Sequence, residues 1–447
     1  MIIAKNQLNR RLKCRLESLA CGDRDFWSFK GRSIREHGHG IFQYPAMMVP
    51  QVVRVLLNEV CEVHPEVKTV GDPFSGSGTI LTESILKGLN FVGKDINPLA
   101  ILLCKTKAGP FFIEAMIEKL NILVSRSHSD CKSSVDIDFP GINKWFNPEI
   151  QIALSKIRRS ILAEPSIWAR RFFWIAMCET VRLTSNSRTS TFKLHIRSRE
   201  DMVARKLEPF SIFEKILSRN NKHLYVLARC LYEQELLKRG RLKSKVSISL
   251  GDIRENSYRE KLKCDIIITS PPYGDNATTV PYGQSSYLPL QWVDLKDIDT
   301  NVDKESLRTT HEIDMRSLGG SKRINAEDMD LLCDISPSFK KYIEHLRKQP
   351  DDRAKRVTAF VRDMNNSLAP ILSWLHPGGI LVWIIGNRKV GGIRVPLDKI
   401  VIELLADREV QFILSLKRRI PSKRMAIKNS IADTISNETI LVARKAS

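Results

Sequence analysis

Residues 71–79 read Gly-Asp-Pro-Phe-Ser-Gly-Ser-Gly-Thr, after a strand that we predict over 67–72 and before a helix predicted over 80–87. A strand, a glycine-rich loop and a helix in this order are typical of a cofactor site in a parallel α/β sheet. The glycines let backbone N–H groups come close to a ligand, and the start of the helix favours a negatively charged group. The stretch therefore predicts an α/β fold with a nucleotide-type cofactor.

A second predicted strand, over 90–95, bears on the kind of cofactor. It ends in Asp95, whose carboxylate is well placed to accept hydrogen bonds from ribose hydroxyls. The loop lacks the third glycine of the dinucleotide fingerprint and the Gly-Lys-Ser/Thr ending of a P-loop. These features together point away from NAD and from nucleoside triphosphates.

Another turn motif, at 269–273, reads Thr-Ser-Pro-Pro-Tyr and follows a buried strand predicted over 264–269. Two prolines and an aromatic residue at the carboxyl end of a strand form a rigid turn that aims carbonyls and a ring into the ligand crevice. That arrangement suits an exocyclic amine of a base lifted out of a helix, with the ring stacked on the base. Taken alone, the motif is also compatible with a loop that proline merely stiffens.

Together the two motifs resemble those of the amino-methyltransferases that use S-adenosylmethionine (SAM) to methylate exocyclic nitrogens of nucleic-acid bases. Residues 72–79 match the SAM loop of that family, and the Ser-Pro-Pro-Tyr at 270–273 matches its catalytic motif. The serine-first form is typical of enzymes that act on cytosine N4 in DNA, whereas an aspartate there is commoner among adenine-N6 enzymes. The resemblance covers roughly 37–100 and 246–443, and the SAM loop comes first, which is a known variant of the family.

The resemblance implies a role for each residue at the cofactor. Asp72 and the loop from Gly76 to Gly78 would hold the methionine end of SAM. Asp95 would hold the ribose, and Asp252 the adenine amine. The residues expected at the cofactor are Tyr44, Pro45, Asp72, Phe74, Gly76, Gly78, Thr79, Asp95 and Asp252. For Phe74 a place in the core alone is equally open.

The resemblance also implies how the catalytic turn works. Ser270 Oγ and the Pro271 carbonyl would accept hydrogen bonds from the target amine, which favours a more tetrahedral and reactive nitrogen. Pro272 would keep the turn rigid, and Tyr273 would stack on the base.

None of the nine cysteines follows a proline, so the Pro-Cys nucleophile of cytosine-C5 methyltransferases is absent. We predict no metal site, because His37 and His39 have no matching ligands nearby in the sequence.

The charge of the chain predicts a polyanionic partner. The net charge is +21, and residues 151–245 hold 21 Lys and Arg against 8 Asp and Glu. We expect this basic segment to contact the phosphates of double-stranded DNA, the alternative being a solvated helix face.

No stretch reaches the ~20 apolar residues that a membrane span needs. The basic N-terminus lacks the apolar core of a secretion signal, so we expect a cytoplasmic protein.

The order of predicted elements indicates a doubly wound, mainly parallel methyltransferase sheet of the seven-stranded type with a large helical insertion. The predicted strands are 67–72, 90–95, 246–250, 264–269 and 379–385, with a late hairpin of 409–416 and 435–443. Predicted helices in the insertion start at Pro148, cover Ile167–Leu183, and run from Ile212 to about Lys238, where Gly240 ends the helix. The segments are 1–36, a basic arm; 37–108, the SAM-binding half; 109–245, the basic insertion for target recognition; and 246–447, the catalytic half with a polar, mobile loop at 284–350.

Three other functions stay open at this point. The same chemistry can act on adenine N6, since serine at 270 only favours cytosine. Methylation of a guanine N2 amine in tRNA is a second alternative, and a catalytically inactive DNA-binding subunit is a third. A separate restriction endonuclease is a possible partner, while the recognition sequence and the oligomeric state cannot be read from the chain.

Overall fold

Strands and helices alternate along the computed structural model, which describes residues 2–23, 25–255, 263–276, 278–321, 323–347, 352–420 and 435–446. The strands are β1 Thr69–Asp72, β2 Asn90–Asp95, β3 Leu237–Lys238, β4 Arg241–Leu242, β5 Val246–Leu250, β6 Cys264–Thr269, β7 Leu375–Gly386, β8 Lys389–Val390, β9 Ile393–Arg394, β10 Val410–Arg419 and β11 Asn437–Lys445. The helices up to the third strand are α1 Ile2–Ser18, α2 Pro50–Val63, α3 Thr79–Leu86, α4 Pro98–Lys107, α5 Ile113–Ser129, α6 Ile142–Trp145, α7 Pro148–Leu162, α8 Ile167–Thr184, α9 Arg199–Ala204 and α10 Pro209–Glu233. The later helices are α11 Tyr282–Trp292, α12 Leu295–Ile298, α13 Glu312–Arg316, α14 Ala326–Ile335, α15 Pro337–Leu346, α16 Arg353–Trp374 and α17 Leu397–Ala406.

Seven of the described strands form one sheet, in the order β10-β11-β7-β6-β1-β2-β5. The neighbours from β5 to β7 are parallel, and β11 runs antiparallel between β7 and β10. The chain moves from β1 through β2 to one edge and returns through β6 and β7 to the other side. The predicted α/β sheet is thus confirmed, including the late hairpin. The switch of direction beside β1 opens the crevice where such sheets bind ligands.

The core has two layers, one on each face of the sheet. Ile266 and Ile268 of β6 belong to one layer, which also contains residues of α2, α3 and α4. Ile267 belongs to the other layer, with residues of α16 and α17. Successive side chains of a strand point to opposite faces, so one apolar run supplies both layers. All three isoleucines are fully buried, which stabilises the fold by ~1.5–3 kcal/mol for each side chain.

The insertion is helical as predicted, but its last helix ends earlier than expected. The predicted helix to Lys238 stops at Glu233, and β3 and β4 then form a short hairpin. Arg239 and Gly240 make its turn with φ of 49° and 70°. Two consecutive left-handed residues are the geometry of a tight two-residue hairpin, for which glycine is suited. Gly240 therefore serves this turn and does not end the helix.

The prediction of a polar, mobile loop at 284–350 is wrong for the part of this segment that the structure describes. Helices α11 to α15 occupy this segment, and α11 packs against α8. Leu288, Leu290 and Trp292 of α11 are almost fully buried. The segment is polar on average, and this average hides the few apolar side chains that pack against the rest of the protein.

The basic N-terminus is also more ordered than a free arm. Helix α1 packs on α2 and on β10. Leu12 and Leu16, spaced by four residues along α1, are fully buried. Arg15 Nε lies 2.6 Å from Glu59 Oε2 of α2. This apolar pair anchors the helical part of the basic arm to the domain.

A candidate cofactor and amine site

The SAM-type loop and the Ser-Pro-Pro-Tyr turn open into one cavity of about 740 Å³. Sites for small molecules typically enclose roughly 300–1,000 Å³. The predicted site residues that line the cavity are Tyr44, Pro45, Asp72, Phe74, Gly76, Thr79, Asp95, Asp252, Ser270, Pro271, Pro272 and Tyr273. Gly78 is the predicted site residue that lies outside the lining. The sheet order explains this convergence, because the two motifs follow the neighbouring strands β1 and β6.

Asp72 links the two motifs directly. Its Oδ1 accepts hydrogen bonds from Thr269 Oγ1 at 2.8 Å and from the Phe74 amide at 3.1 Å. The first of these joins the end of β1 to the residue that precedes the Ser-Pro-Pro-Tyr turn. Burial raises the pKa of Asp72 to about 7. Asp72 therefore holds the loop and the turn in one rigid unit at the floor of the cavity.

Asp95 shapes the loop from the neighbouring strand. Its Oδ2 accepts a hydrogen bond from the Gly76 amide at 2.7 Å, and its Oδ1 accepts one from the Asn97 amide at 2.8 Å. Gly76 has a φ of 47°, a left-handed conformation that favours glycine. A carboxylate has about four acceptor positions, so Asp95 keeps acceptor capacity for a ligand hydroxyl. Burial raises the pKa of Asp95 to about 6.

Gly78 bends the chain into α3 and has no place in the cavity wall. Its φ is 70°, and a Cβ atom added there would lie 3.0 Å from Cys104 Sγ. Beneath the same turn, Lys107 Nζ donates a hydrogen bond to the Ser77 carbonyl at 2.6 Å. Burial lowers the pKa of Lys107 to about 8. No local sequence pattern indicates this buried lysine, which supports the loop from α4.

The segment around Tyr44 closes one side of the cavity. The Tyr44 hydroxyl accepts a hydrogen bond from Asn97 Nδ2 at 3.0 Å, and its ring stacks on Tyr282 with centroids 5.8 Å apart. Asn97 Nδ2 also donates to Ser286 Oγ at 2.8 Å. Sequence reasoning missed Asn97 and Tyr282. The Asn97-Pro98 pair is a typical helix start that signals its capping role, whereas its contact with Tyr44 has no local signal.

Asp252 is held by a neighbouring arginine. Its Oδ1 accepts hydrogen bonds from the Arg254 amide at 2.9 Å and from Arg254 Nε at 3.0 Å. Arg254 also forms an ion pair with Asp363 of α16, with 2.8 Å between NH1 and Oδ2. The carboxylate that we expected at an adenine amine is therefore oriented by Arg254, which sequence reasoning missed.

The Ser-Pro-Pro-Tyr turn at 270–273 is tied to the late hairpin. The Tyr273 hydroxyl lies 3.0 Å from Ser270 Oγ and donates a hydrogen bond to Glu438 Oε1 at 2.9 Å. A Cβ atom at Gly386 would lie 2.7 Å from the Tyr273 ring. The glycine at the end of β7 thus leaves the space that the tyrosine ring occupies. Sequence reasoning missed Glu438, which lies 165 positions away from Tyr273.

The loop that follows the turn is anchored by Arg388. Its NH2 donates to Asp275 Oδ2 at 3.0 Å, and its NH1 donates to Thr278 Oγ1 at 2.6 Å. A Cβ atom at Gly274 would lie 2.4 Å from the guanidinium carbon, so glycine leaves the space for this contact. Arg388 therefore holds the wall of the cavity next to the Ser-Pro-Pro-Tyr turn.

His39 packs in the interior and is not part of this cavity. Its Nε2 lies 2.9 Å from Glu83 Oε1 of α3, and burial lowers the pKa of His39 to about 4. Among the described residues, no group of three His, Cys, Asp or Glu side chains is arranged to hold a metal ion. None of the helices within the described ranges is long and apolar enough to cross a membrane.

The end of the cavity at the loop fits SAM by its chemistry. Gly76 brings backbone close to the ligand space, and no side chain of its own fills that space. Asp72 and Asp95 supply acceptors for an ammonium group and for ribose hydroxyls, and Phe74 supplies an apolar surface. Asp72, Asp95 and Asp252 would thus hold the methionine, ribose and adenine parts in the order that the resemblance implies.

We predict that SAM affinity falls as the pH is lowered from about 8 to about 5. The folded pKa values of Asp72, about 7, and Asp95, about 6, lie above the ordinary value of roughly 3.9, so both carboxyls take up a proton in this window. A protonated carboxyl loses acceptor capacity, and SAM must then displace the proton. Titration calorimetry across this range measures the effect. Asp95→Asn should remove the step near its pKa, and an unchanged pH profile in that variant would contradict the assignment.

Comparison with known proteins places the chain in a family. It is 32% identical over 450 residues to the type II methyltransferase M.MvaI of Kocuria varians, covering 97% of this chain and 95% of that protein. It is 30% identical over 115 residues to the type II methyltransferase M.MjaII of Methanocaldococcus jannaschii, covering 26% of this chain and 21% of that protein.

No protein-family model matches the chain. A solved rRNA methyltransferase, aviRa from Streptomyces viridochromogenes, is 9% identical over 90% of this chain and 86% of that one, and its TM-score of 0.27 is too low to support an argument. The full-length match to M.MvaI is decisive: the chain belongs to the type II methyltransferases, and S-adenosylmethionine is its methyl donor.

Proposed function

We propose that this protein methylates the exocyclic N4 amine of a cytosine that is flipped out of double-stranded DNA. The observation that supports the proposal is the shared cavity, where the turn at 270–273 faces the loop at 72–79. A base inside a duplex cannot reach such a cavity, so the target must leave the stack. The serine at the head of the turn favours cytosine over adenine by resemblance.

The residues of the chain would act mainly by alignment. SAM, when bound, supplies a methyl group that its sulfonium already activates. Ser270 Oγ and the Pro271 carbonyl would accept the two amine hydrogens, and the Tyr273 ring would stack on the base. Both acceptors belong to a turn whose ends are tied to Asp72 and Glu438. A rigid turn of this kind contributes to catalysis by holding the amine in line with the methyl group.

The test is the identity of the methylated nucleoside. Purified protein is incubated with labelled SAM and with either double-stranded DNA or tRNA, and the digested product is analysed by mass spectrometry. We expect N4-methylcytosine in DNA and no 5-methylcytosine. N6-methyladenine would overturn the choice of base, N2-methylguanine in tRNA would overturn the choice of nucleic acid, and no product with either would indicate an inactive subunit.

A small hairpin beside the cavity offers a DNA-binding surface. Ser187 and Ile196 form an antiparallel bridge, and the Arg188 amide donates to the His195 carbonyl at 2.8 Å. Lys193, between them, lines the cavity. We propose that this part of the insertion 109–245 contacts phosphates near the flipped base.

The structure separates the basic side chains of this region into two groups. Arg205 donates to the carbonyls of Leu183 and Ser185, and Arg197 donates to the carbonyl of Ser187. The guanidinium groups of these two arginines bond to backbone carbonyls of the protein itself, so reversing their charge tests stability as well as DNA binding. The exposed basic residues of the same region are Arg188, Lys193, Arg199 and Lys206. They are the better probes of phosphate contact.

We predict that reversing Arg188, Lys193 and Arg199 to glutamate weakens DNA binding and flattens its salt dependence. Each lost phosphate contact should reduce the slope of log affinity against log salt by about 0.9. Fluorescence anisotropy with duplex DNA at several salt concentrations measures both quantities. Lys340→Glu with Lys341→Glu reverses two charges on the exposed side of α15 as the control and should leave the slope nearly unchanged. Equal slopes in the two variants would assign the hairpin to ordinary solvated surface.

We further propose that the methylation serves a restriction–modification system with a separate endonuclease. The proposal draws on the type II methyltransferases that the chain matches. Sequencing of DNA methylated by the protein would give its recognition site. Resistance of that methylated DNA to an endonuclease encoded beside the protein is the expected result, and cleavage of it would contradict this role.

A further inference from the structure

A row of side chains behind the catalytic turn joins three strands. Glu438 of β11 lies opposite Gly386 of β7 and opposite Arg418 of β10. Residues that are directly opposite in an antiparallel pair share one face of the sheet. Gly386 has no side chain, so the Tyr273 ring rests over it and its hydroxyl reaches Glu438. The late hairpin thereby contacts the catalytic turn.

The charge on Glu438 is held in place by Arg418. NH1 of Arg418 hydrogen-bonds to Glu438 Oε2, and the arginine is almost fully buried. Arg418 Nε also donates to the Trp27 carbonyl at 3.0 Å, which anchors it in the N-terminal segment. A carboxylate that pairs with a guanidinium acts as an acceptor of hydrogen bonds, and Glu438 accepts from Tyr273. The proton in the contact between Glu438 and Tyr273 therefore belongs to the phenol.

The direction of this hydrogen bond determines the direction of the next one, between Tyr273 and Ser270. A phenol has one proton, so the Tyr273 oxygen can only accept in its contact with Ser270, 3.0 Å away. The Ser270 hydroxyl must then donate its proton to the Tyr273 oxygen. The lone pairs of Ser270 Oγ, which lines the cavity, stay available to accept hydrogen bonds from a ligand. Burial and the nearby Glu438 carboxylate raise the pKa of Tyr273 well above its ordinary value, so the phenol keeps its proton.

We infer that Glu438 is a positioning residue that acts through the Tyr273 hydroxyl to make Ser270 an acceptor for the target amine. The inference rests on the proposed function, in which that amine is a hydrogen-bond donor. A serine without these two hydrogen bonds is free to turn its own proton toward the amine, where the proton repels the amine hydrogens. Glu438 thus selects one of two orientations of a hydroxyl that it does not touch.

The test is a double-mutant cycle in the full-length protein with duplex DNA and SAM. Tyr273→Phe keeps the stacking ring and removes one oxygen atom, and Glu438→Gln removes the charge that fixes the hydrogen-bond direction. Each single variant should lower kcat by about 10-fold with little change in KM, the size expected for one hydrogen bond. The double variant should be no slower than Tyr273→Phe alone, because Glu438 acts only through the phenol.

Losses that multiply in the double variant would overturn the inference, as would full kcat in Tyr273→Phe. Fluorescence of a 2-aminopurine beside the target base, together with SAM titration, should be the same in all four proteins, since the stack and the cofactor loop are intact. Glu438→Gln leaves a buried arginine without its charged partner, so thermal unfolding is measured as well. If that variant unfolds, Tyr273→Phe still tests the chain of hydrogen bonds, since a loss of about 10-fold in kcat supports it and full kcat overturns the inference.

The same experiment separates this inference from the proposed function. Failure of the parent protein to form N4-methylcytosine rejects the proposed function. Formation of N4-methylcytosine by the parent together with unchanged kcat in Tyr273→Phe rejects only the role of Glu438.

Discussion

Ser270→Ala is expected to lower kcat by about 100-fold, the loss typical of removing one preorganised transition-state contact. The hydroxyl is one of two acceptors that we propose for the amine, and its interaction strengthens as the nitrogen becomes tetrahedral. An interaction made mainly in the transition state appears in kcat and hardly in substrate affinity. Single-turnover kinetics with saturating DNA and SAM measure the step directly.

Two controls define what this result means. Asp72 bonds to Thr269 and Glu438 bonds to Tyr273 without Ser270, so Ser270→Ala should leave SAM and DNA affinities close to those of the parent. Tyr273→Ala should instead weaken binding of DNA with a flipped target, since a stacking surface is worth ~1–3 kcal/mol per base. Full activity in Ser270→Ala would show that the Pro271 carbonyl suffices and that the serine is misassigned.

Gly76→Val is expected to weaken SAM binding by about 10-fold to 100-fold while DNA binding stays intact. Gly76 has a φ of 47°, and its amide donates to Asp95 at 2.7 Å. A β-branched residue in the left-handed region costs ~1–3 kcal/mol of strain. The loop should relieve that strain by moving the amide away from Asp95 and distorting the ligand space. Calorimetric titration with SAM gives the affinity.

Gly31→Val is the matched control for that prediction. Gly31 also has a left-handed conformation, with a φ of 81°, and an added Cβ would meet nothing within 4 Å. Both variants carry similar backbone strain, but only Gly76 lies at the cavity. Equal SAM affinities in the two variants would assign the effect to general strain and would remove the loop from the cofactor site.

The sequence was sufficient for the fold class and for the position of both motifs. The isoleucines at 266–268 identify a strand because three consecutive apolar residues fit a sheet that is buried on both faces. The glycines at 76 and 78 identify a loop because few other residues adopt left-handed backbone. These signals are local, since a few neighbouring residues generate each of them. The average polarity of 284–350 was misleading, because a small number of buried apolar residues is enough to pack this segment as helices.

Only the tertiary structure decided which charged groups act on those motifs. Glu438 meets Tyr273, Arg388 meets Asp275 and Arg254 meets Asp363 across separations of more than one hundred residues. The first contact depends on the pairing register of β11, where a slip of one residue would turn Glu438 to the other face, and the other two depend on the strand order that brings separate loops and α16 together. No local pattern encodes that register. The sequence therefore determined where the two motifs lie in the fold, and the packed sheet determined the hydrogen-bond partners that orient the groups around them.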